Sequence, residues 1–60
     1  MFYRIDTNGN AQIFNEDGTP ATRIDANVYP VGSTLSARYE HADGITLTVA
    51  DAESIGIGKE

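Results

Sequence analysis

The alternation of apolar and polar residues is most regular in the second half of the chain. Residues 34–40 carry an apolar side chain at every second position, and this period of two predicts a strand with one face in water. Residues 41–44 end in Asp-Gly and have turn composition, and residues 45–47 alternate again. The pattern therefore predicts a β-hairpin in which 34–40 pairs with 45–47.

A short helix is predicted directly after this hairpin. Thr48 has the residue type of an N-cap, and Asp51 follows three positions later, where acidic residues favour the positive end of the helix dipole. Gly56 stands where a left-handed residue ends a helix. The spacing predicts a helix over 49–55 that must pack on the sheet, because two helical turns are not stable alone. We expect residues 58–60 to fray.

The chain begins with a second predicted β-hairpin. Residues 2–6 and 11–15 have strand composition, and they flank the pair Asn8-Gly9. Asn-Gly between two such runs is typical of a type I′ turn, because both central residues of that turn need a positive φ.

Two registers are open for this first hairpin. A two-residue loop places Tyr3 opposite Phe14, whereas a three-residue loop places Ile5 opposite Ile13. The sequence does not decide between them.

The middle of the chain carries the weakest pattern. Residues 15–20 have turn composition and end in a proline, which cannot continue a strand ladder. A short strand is predicted at residues 21–24. Tyr29 precedes Pro30, and because proline favours extended geometry in the residue before it, this piece is expected at a sheet edge.

These elements predict an α+β fold. We expect a single small domain over 1–60, built from a small antiparallel β-sheet of three to five short strands and one short C-terminal helix packed on it. A chain of sixty residues buries only about 60% of its unfolded surface. Because such a core is thin, we also expect a homodimer through a sheet edge or the helix face.

Composition narrows the classes of function. Cysteine is absent, which excludes disulfides, thiolate zinc sites and thiol catalysis. Nine acidic residues against four basic ones give a formal charge of −5, which opposes direct nucleic-acid binding. No apolar run is long enough to cross a bilayer and no signal peptide is evident. We expect a soluble intracellular protein whose acidic surface binds a basic surface of another protein.

His41 is the candidate proton-transfer group, since its intrinsic pKa is closest to neutrality. Glu40 and Asp43 flank it. A catalytic site would also need a nucleophile, and no serine lies in a Gly-x-Ser-x-Gly elbow. We therefore expect no enzymatic activity and no cofactor, and we interpret the histidine as an exposed turn residue.

Residues 6–17 resemble an EF-hand or dockerin calcium loop. Oxygen-bearing side chains stand at loop positions one, three and five, and a carboxylate, Asp17, stands at position twelve. The glycine that such loops need at position six is replaced by Ala11, which favours the hairpin interpretation. A calcium-stabilised mini-domain is the third hypothesis for this protein.

Residues 32–57 resemble the C-terminal half of short uncharacterised open reading frames from bacteriophages and prophages. The resemblance covers less than half of the chain and contains no catalytic motif. It implies a phage accessory role in the cytoplasm of a bacterial host cell, where small acidic proteins bind and block host proteins, including defence complexes. The elements that carry it are Gly32-Ser33, Arg38-Tyr39-Glu40-His41, Gly44-Ile45, Leu47-Thr48, Asp51-Ala52-Glu53 and Ile55-Gly56-Ile57.

The leading hypothesis is a non-enzymatic protein-binding module that inhibits a host defence protein through an acidic surface. A structural protein of virion assembly is the alternative. Binding is assigned to the wet face of the strand at 34–40, to the turn that follows it, and to one tyrosine as an interface anchor. The assigned residues are Ser36, Arg38, Glu40, His41, Asp43 and Tyr29.

Overall fold

The computed structural model describes residues 1–25 and 38–60. Within these residues the chain forms short strands and one helix of six residues, so the predicted α+β class is confirmed. In chain order the elements are β1 (Phe2–Ile5), β2 (Ala11–Phe14), β3 (Arg23–Asp25), β4 (Arg38–Glu40), β5 (Thr46–Leu47), α1 (Val49–Ser54) and β6 (Gly58–Lys59).

The larger sheet has the order β5-β2-β1-β6. β2 runs antiparallel to both β1 and β5, whereas β6 runs parallel to β1. The sheet is therefore mixed, although the sequence predicted antiparallel pairing. Since β5 and β6 lie at opposite edges and point the same way, α1 connects them across the sheet.

The prediction of a frayed end at 58–60 is wrong. Gly58 and Lys59 form β6, with Gly58 opposite Phe2. The next residue continues the ladder, because the backbone N–H of Glu60 donates to the carbonyl of Tyr3 at 3.0 Å. These backbone pairs with β1 hold the segment in place.

The hairpin of β1 and β2 adopts neither predicted register. Tyr3 lies opposite Ile13, and Ile5 lies opposite Ala11. The reason is the loop, because the Asp6 N–H donates to the Asn10 carbonyl at 2.8 Å and the strands begin outside that pair.

This loop is a type I turn followed by a left-handed glycine. The Gly9 N–H donates to the Asp6 carbonyl at 3.1 Å, and the φ of Gly9 is +81°. No other residue type has a positive φ in the described part of the chain, so Asn8-Gly9 does not form a type I′ turn. The Asp6 carboxylate accepts from the N–H groups of Asn8 and Asn10, both at 2.9 Å, and thereby fixes the loop.

The same turn recurs at the two Asp-Gly pairs of the chain, Asp17-Gly18 and Asp43-Gly44. The Gly18 N–H donates to the Asn15 carbonyl at 2.9 Å, and the Asn15 N–H donates to the Thr19 carbonyl at 2.8 Å. In the third turn the Gly44 N–H donates to the His41 carbonyl at 3.2 Å. Both glycines have a positive φ, so each Asx-Gly pair supplies its left-handed residue from glycine alone.

The second predicted hairpin is wrong, although its turn forms. β4 pairs with β3 in a separate two-stranded sheet, and β5 pairs with β2. The Ile13 N–H donates to the Ile45 carbonyl at 3.0 Å, which joins the segment after the turn to the large sheet. Ile45 is 1% exposed and Leu47 is 7% exposed, so this pairing buries side chains that a free hairpin would leave in water.

The helix forms as predicted and ends one residue earlier. The Thr48 hydroxyl accepts from the Asp51 N–H at 3.1 Å. At the other end the Gly56 N–H donates to the Glu53 carbonyl at 3.1 Å, and the Ile57 N–H donates to that of Ala52 at 3.0 Å. This pair of bonds is a Schellman motif. No helix in the described residues is long and apolar enough to cross a membrane.

One apolar cluster joins both sheets and the helix. Its members come from β1, β2, β3, β5, α1 and the segments beside them, and Val49 and Ile55 pack against it half-buried, as the helix pattern predicts. Among the large apolar side chains, Ile5 is 45% exposed, and residues 28, 29, 31 and 35 lie outside the described part of the chain. The buried members are Tyr3, Ala11, Ile13, Ala21, Ile24, Ile45, Leu47, Ala52 and Ile57.

Candidate functional site

The predicted binding residues that the structure describes lie on β4 and in the turn after it. Arg38 is the first residue of β4 and stands opposite Asp25 of β3. Glu40 is the last residue of β4, is exposed, and stands opposite Arg23. Arg38 and Glu40 are thus two positions apart on one strand, and their assignment to one binding face stays a prediction.

Two of the predicted binding residues cannot be placed. Tyr29 and Ser36 lie outside the described residues, so their assignment to the site stays a prediction. Tyr39 of β4 stands opposite Ile24 of β3, and Ile24 is 5% exposed.

Arg23 organises the charges of this two-stranded sheet. Its Nη2 lies 2.9 Å from Oδ2 of Asp25 on the same strand, and its Nε lies 3.7 Å from Oε1 of Glu40 on β4. All three side chains are about half exposed. The sequence analysis missed Arg23, although its spacing of two from Asp25 on a strand is a usable signal.

His41 is held by backbone contacts on both sides of the turn. Its N–H donates to the Thr22 carbonyl at 2.9 Å. Its ring Nδ1 accepts from the Asp43 N–H at 3.3 Å, which leaves Nε2 as the protonated nitrogen of the neutral ring. Ser54, the one serine in the described residues, donates its hydroxyl to the Asp51 carbonyl at 2.7 Å.

An open depression lies beside this turn. It is lined by Thr22, Arg23, Glu40, His41 and Ala42. Pockets that bind small molecules enclose most of the ligand surface, whereas this depression faces solvent. Its mixture of guanidinium, carboxylate and imidazole groups suits the side chains of a protein partner.

In residues 6–17, which resemble a calcium loop, the favoured hairpin forms and β2 occupies the middle of the segment. At one end the carboxylate of Asp6 is used by the hairpin loop. At the other end Oδ1 of Asp17 accepts from the Thr19 N–H at 3.0 Å and from the Thr19 hydroxyl at 2.6 Å. The hydroxyl bond in particular lowers the pKa of Asp17. In residues 1–25 and 38–60, no three His, Asp or Glu side chains are grouped to hold a metal ion.

A second surface, on the outer face of the large sheet, was missed by the sequence analysis. Phe2 and Phe14 stack with ring centroids 5.5 Å apart. The Arg4 guanidinium lies 5.4 Å and 4.9 Å from these two centroids, and its Nη2 lies 3.0 Å from Oε1 of Glu60. Hydrogen bonding to Arg4 lowers the pKa of Glu60. This surface depends on the register of β1 with β2 and on the pairing of β6 with β1. The alternation of apolar and polar residues predicted neither.

Most acidic side chains have a partner close by. Glu16 pairs with the N-terminal ammonium group, and Glu53 accepts from the Tyr3 hydroxyl at 3.3 Å. Burial, with Glu53 adding to it, raises the pKa of Tyr3. The carboxylates of Asp43 and Asp51 make no hydrogen bond or ion pair with the described residues.

Comparison with protein-family models, curated proteins and solved structures gives no match to this chain. The resemblance to phage reading frames therefore stays a prediction. The site has to be interpreted from its own geometry and charge.

Proposed function

We propose that this chain is a non-enzymatic protein-binding module that engages a basic surface of a host protein. In this proposal it is a phage-encoded inhibitor, with a host defence protein as its target, and it acts in the cytoplasm of the bacterial cell. The observation that carries the proposal is which charged side chains of the described residues form ion pairs within the chain and which do not.

Two of the arginines, Arg4 and Arg23, form ion pairs within the chain. Arg4 is paired with Glu60, and Arg23 is paired with Asp25 and Glu40. Asp43 and Asp51 have no such partner in the described residues. Lys59 likewise makes no ion pair with the described residues, so these two carboxylates outnumber it, and the net charge of −5 supports a mainly negative surface. Such a surface accelerates encounter with a basic partner.

The turn at 41–44 is the proposed point of contact. Its backbone is fixed by the bond from Gly44 to His41 and by the bond from His41 to Thr22. Asp43 is exposed at its tip. Because the turn is already ordered, little conformational freedom is lost when a partner binds it.

The test is a pull-down from bacterial lysate with mass-spectrometric identification of the captured proteins. The test variant is Asp43→Lys, which raises the net charge by two. The control is the double variant Thr7→Lys and Asn8→Lys, which makes the same charge change in the hairpin loop, at the opposite end of β1 and β2. We expect a captured host protein to be lost from Asp43→Lys and kept by the control.

Equal loss from both variants would show that only net charge matters and would contradict binding at the turn. Binding that is insensitive to added salt would contradict the electrostatic part of the proposal, since salt screens exposed charges. Co-purification with virion proteins in place of a host protein would support the structural alternative.

The proposed homodimer is tested by sedimentation velocity over a range of protein concentrations. A mass that rises with concentration supports a shared core or edge. A single species of 6.4 kDa at every concentration contradicts it.

A further inference from the structure

We propose that Asn8 is a site of spontaneous deamidation, which converts it to a mixture of aspartate and isoaspartate. The reaction needs a free asparagine side chain and a backbone nitrogen that can reach it. The loop of the first hairpin provides both, and the proposed binding function does not use this loop.

The side chain of Asn8 is free to react. It is exposed, and its amide makes no hydrogen bond with the described residues. The next residue, Gly9, has no side chain, and the space that a Cβ would fill there is empty to 4 Å. No side chain at position 9 therefore hinders the approach of the Gly9 nitrogen to the side-chain carbonyl of Asn8.

The chemistry requires only water. The Gly9 nitrogen attacks Cγ of Asn8, a nitrogen–carbon bond forms, and the side-chain amide leaves as ammonia carrying the displaced proton. The product is a five-membered cyclic imide. Water then opens it at Cγ to give aspartate with a normal backbone, or at the main-chain carbonyl to give isoaspartate with the backbone rerouted through the side chain.

The turn controls the rate of this reaction. The Gly9 N–H donates to the Asp6 carbonyl, and the Asn8 N–H donates to the Asp6 carboxylate. While these bonds hold, the nitrogen is kept in the turn geometry, so attack follows local opening of the loop. Asp6 is thus a positioning residue that slows the reaction.

The other described asparagines differ in sequence and contacts. Asn10 precedes Ala11 and is half-buried beside the strand. Asn15 precedes Glu16, and its Nδ2 donates to the Thr19 hydroxyl at 3.1 Å. In both cases the residue after the asparagine has a side chain. This side chain hinders attack by the backbone nitrogen of that residue on the asparagine Cγ.

The experiment incubates the full chain at mildly alkaline pH and follows it by tryptic mass spectrometry. Cleavage after Arg4 and Arg23 gives a peptide of residues 5–23, in which fragmentation locates the converted asparagine. Chromatography separates the aspartate and isoaspartate products. We expect both at position 8, before conversion at any other asparagine, and none at that position in Asn8→Gln.

Two further variants test control by the turn. Asp6→Ala removes the carboxylate acceptor and is expected to speed the conversion, while Asp6→Asn keeps an acceptor oxygen and is expected to stay near the wild-type rate. Circular dichroism confirms that each variant is folded. An unstructured peptide of residues 6–10 gives the rate at which Asn8 converts when no folded turn restrains it. If that peptide converts while Asn8 of the protein stays intact, or if another asparagine converts first, the proposal is overturned.

Discussion

The large sheet with α1 and the two-stranded sheet of β3 and β4 are stabilised in different ways. In the large sheet Ile13 is 0% exposed, lies opposite Tyr3 and gives its N–H to Ile45. In the small sheet the one described buried side chain is Ile24, which belongs to the apolar cluster, and Arg23, Asp25 and Glu40 form exposed ion pairs beside it.

This difference separates stability from recognition. Burial of apolar surface contributes most of the free energy of folding, and here it is concentrated around β2. Exposed ion pairs contribute little to stability. The charged face that carries Arg23 and Glu40 therefore contributes little to folding, and it lies beside the turn at 41–44, where we propose that a partner binds.

The largest expected effect is at the centre of the large sheet. Ile13→Ala should lower the free energy of unfolding by about 2 to 5 kcal/mol, because it leaves a cavity that the surrounding strands cannot close. The matched variant Ile24→Ala should cost less, since the small sheet can adjust around it. Urea unfolding followed by circular dichroism measures both, and an equal or larger loss for Ile24→Ala would contradict the comparison.

The next effect is at the end of α1. Gly56 has a φ of +88°, and Gly56→Ala should cost about 1 to 2 kcal/mol because a Cβ disfavours left-handed backbone. No atom lies within 4 Å of the added Cβ, so the cost is conformational. Gly58→Ala is the control, since Gly58 has equally open space and no positive φ. A shift of the thermal midpoint in the control alone would refute this account.

A smaller effect is expected in the small sheet. Arg23→Gln should lower the free energy of unfolding by less than about 1 kcal/mol, because ion pairs between exposed side chains are weak. Arg23→Lys keeps the charge and should lie between this variant and wild type. Chemical denaturation measures both, and a loss as large as that of Ile13→Ala would mean that the small sheet is a structural centre as well.

The smallest effect is a dependence on pH. Hydrogen bonds lower the pKa of Asp17 and of Glu60 in the folded chain. A lowered pKa gives stability that is present above the unfolded value of about 4 and is lost as the pH falls through the folded value. Asp17→Asn should therefore flatten the fall of the thermal midpoint below pH 4.

Thr19→Val is the second variant for this prediction. It removes the hydroxyl that donates to Asp17 at 2.6 Å and should flatten the same curve in part. A curve that keeps the wild-type slope in both variants would show that this hydrogen bond contributes nothing to the acid dependence.

Features set by neighbours in sequence could be predicted. The N-cap at Thr48 and the left-handed residue at Gly56 depend on side chains within one helical turn, and both are confirmed. The placement of glycine in each Asx-Gly turn also followed from local chemistry. The type I′ turn predicted at Asn8-Gly9 was wrong, because the Asp6 carboxylate stabilises a longer loop than an Asn-Gly pair alone indicates.

Features set by distant residues could not be predicted. Whether β5 pairs with β4 or with β2 depends on which partner buries Ile45 and Leu47, and alternation along one strand is the same in both cases. The ion pairs of Arg23 depend on the pairing of β3 with β4. The stacked rings beside Arg4 depend on a register of β1 and β2 that was neither of the two predicted ones.

The parallel pairing of β1 with β6 sets an order of events in folding. β1 and β2 are joined by a short loop and can meet early, since closing a short loop loses little chain entropy. The Arg4 and Glu60 side chains are 56 residues apart in sequence, and contacts of such separation slow folding. During synthesis on a ribosome one edge of β1 therefore stays unpaired until β6 has emerged.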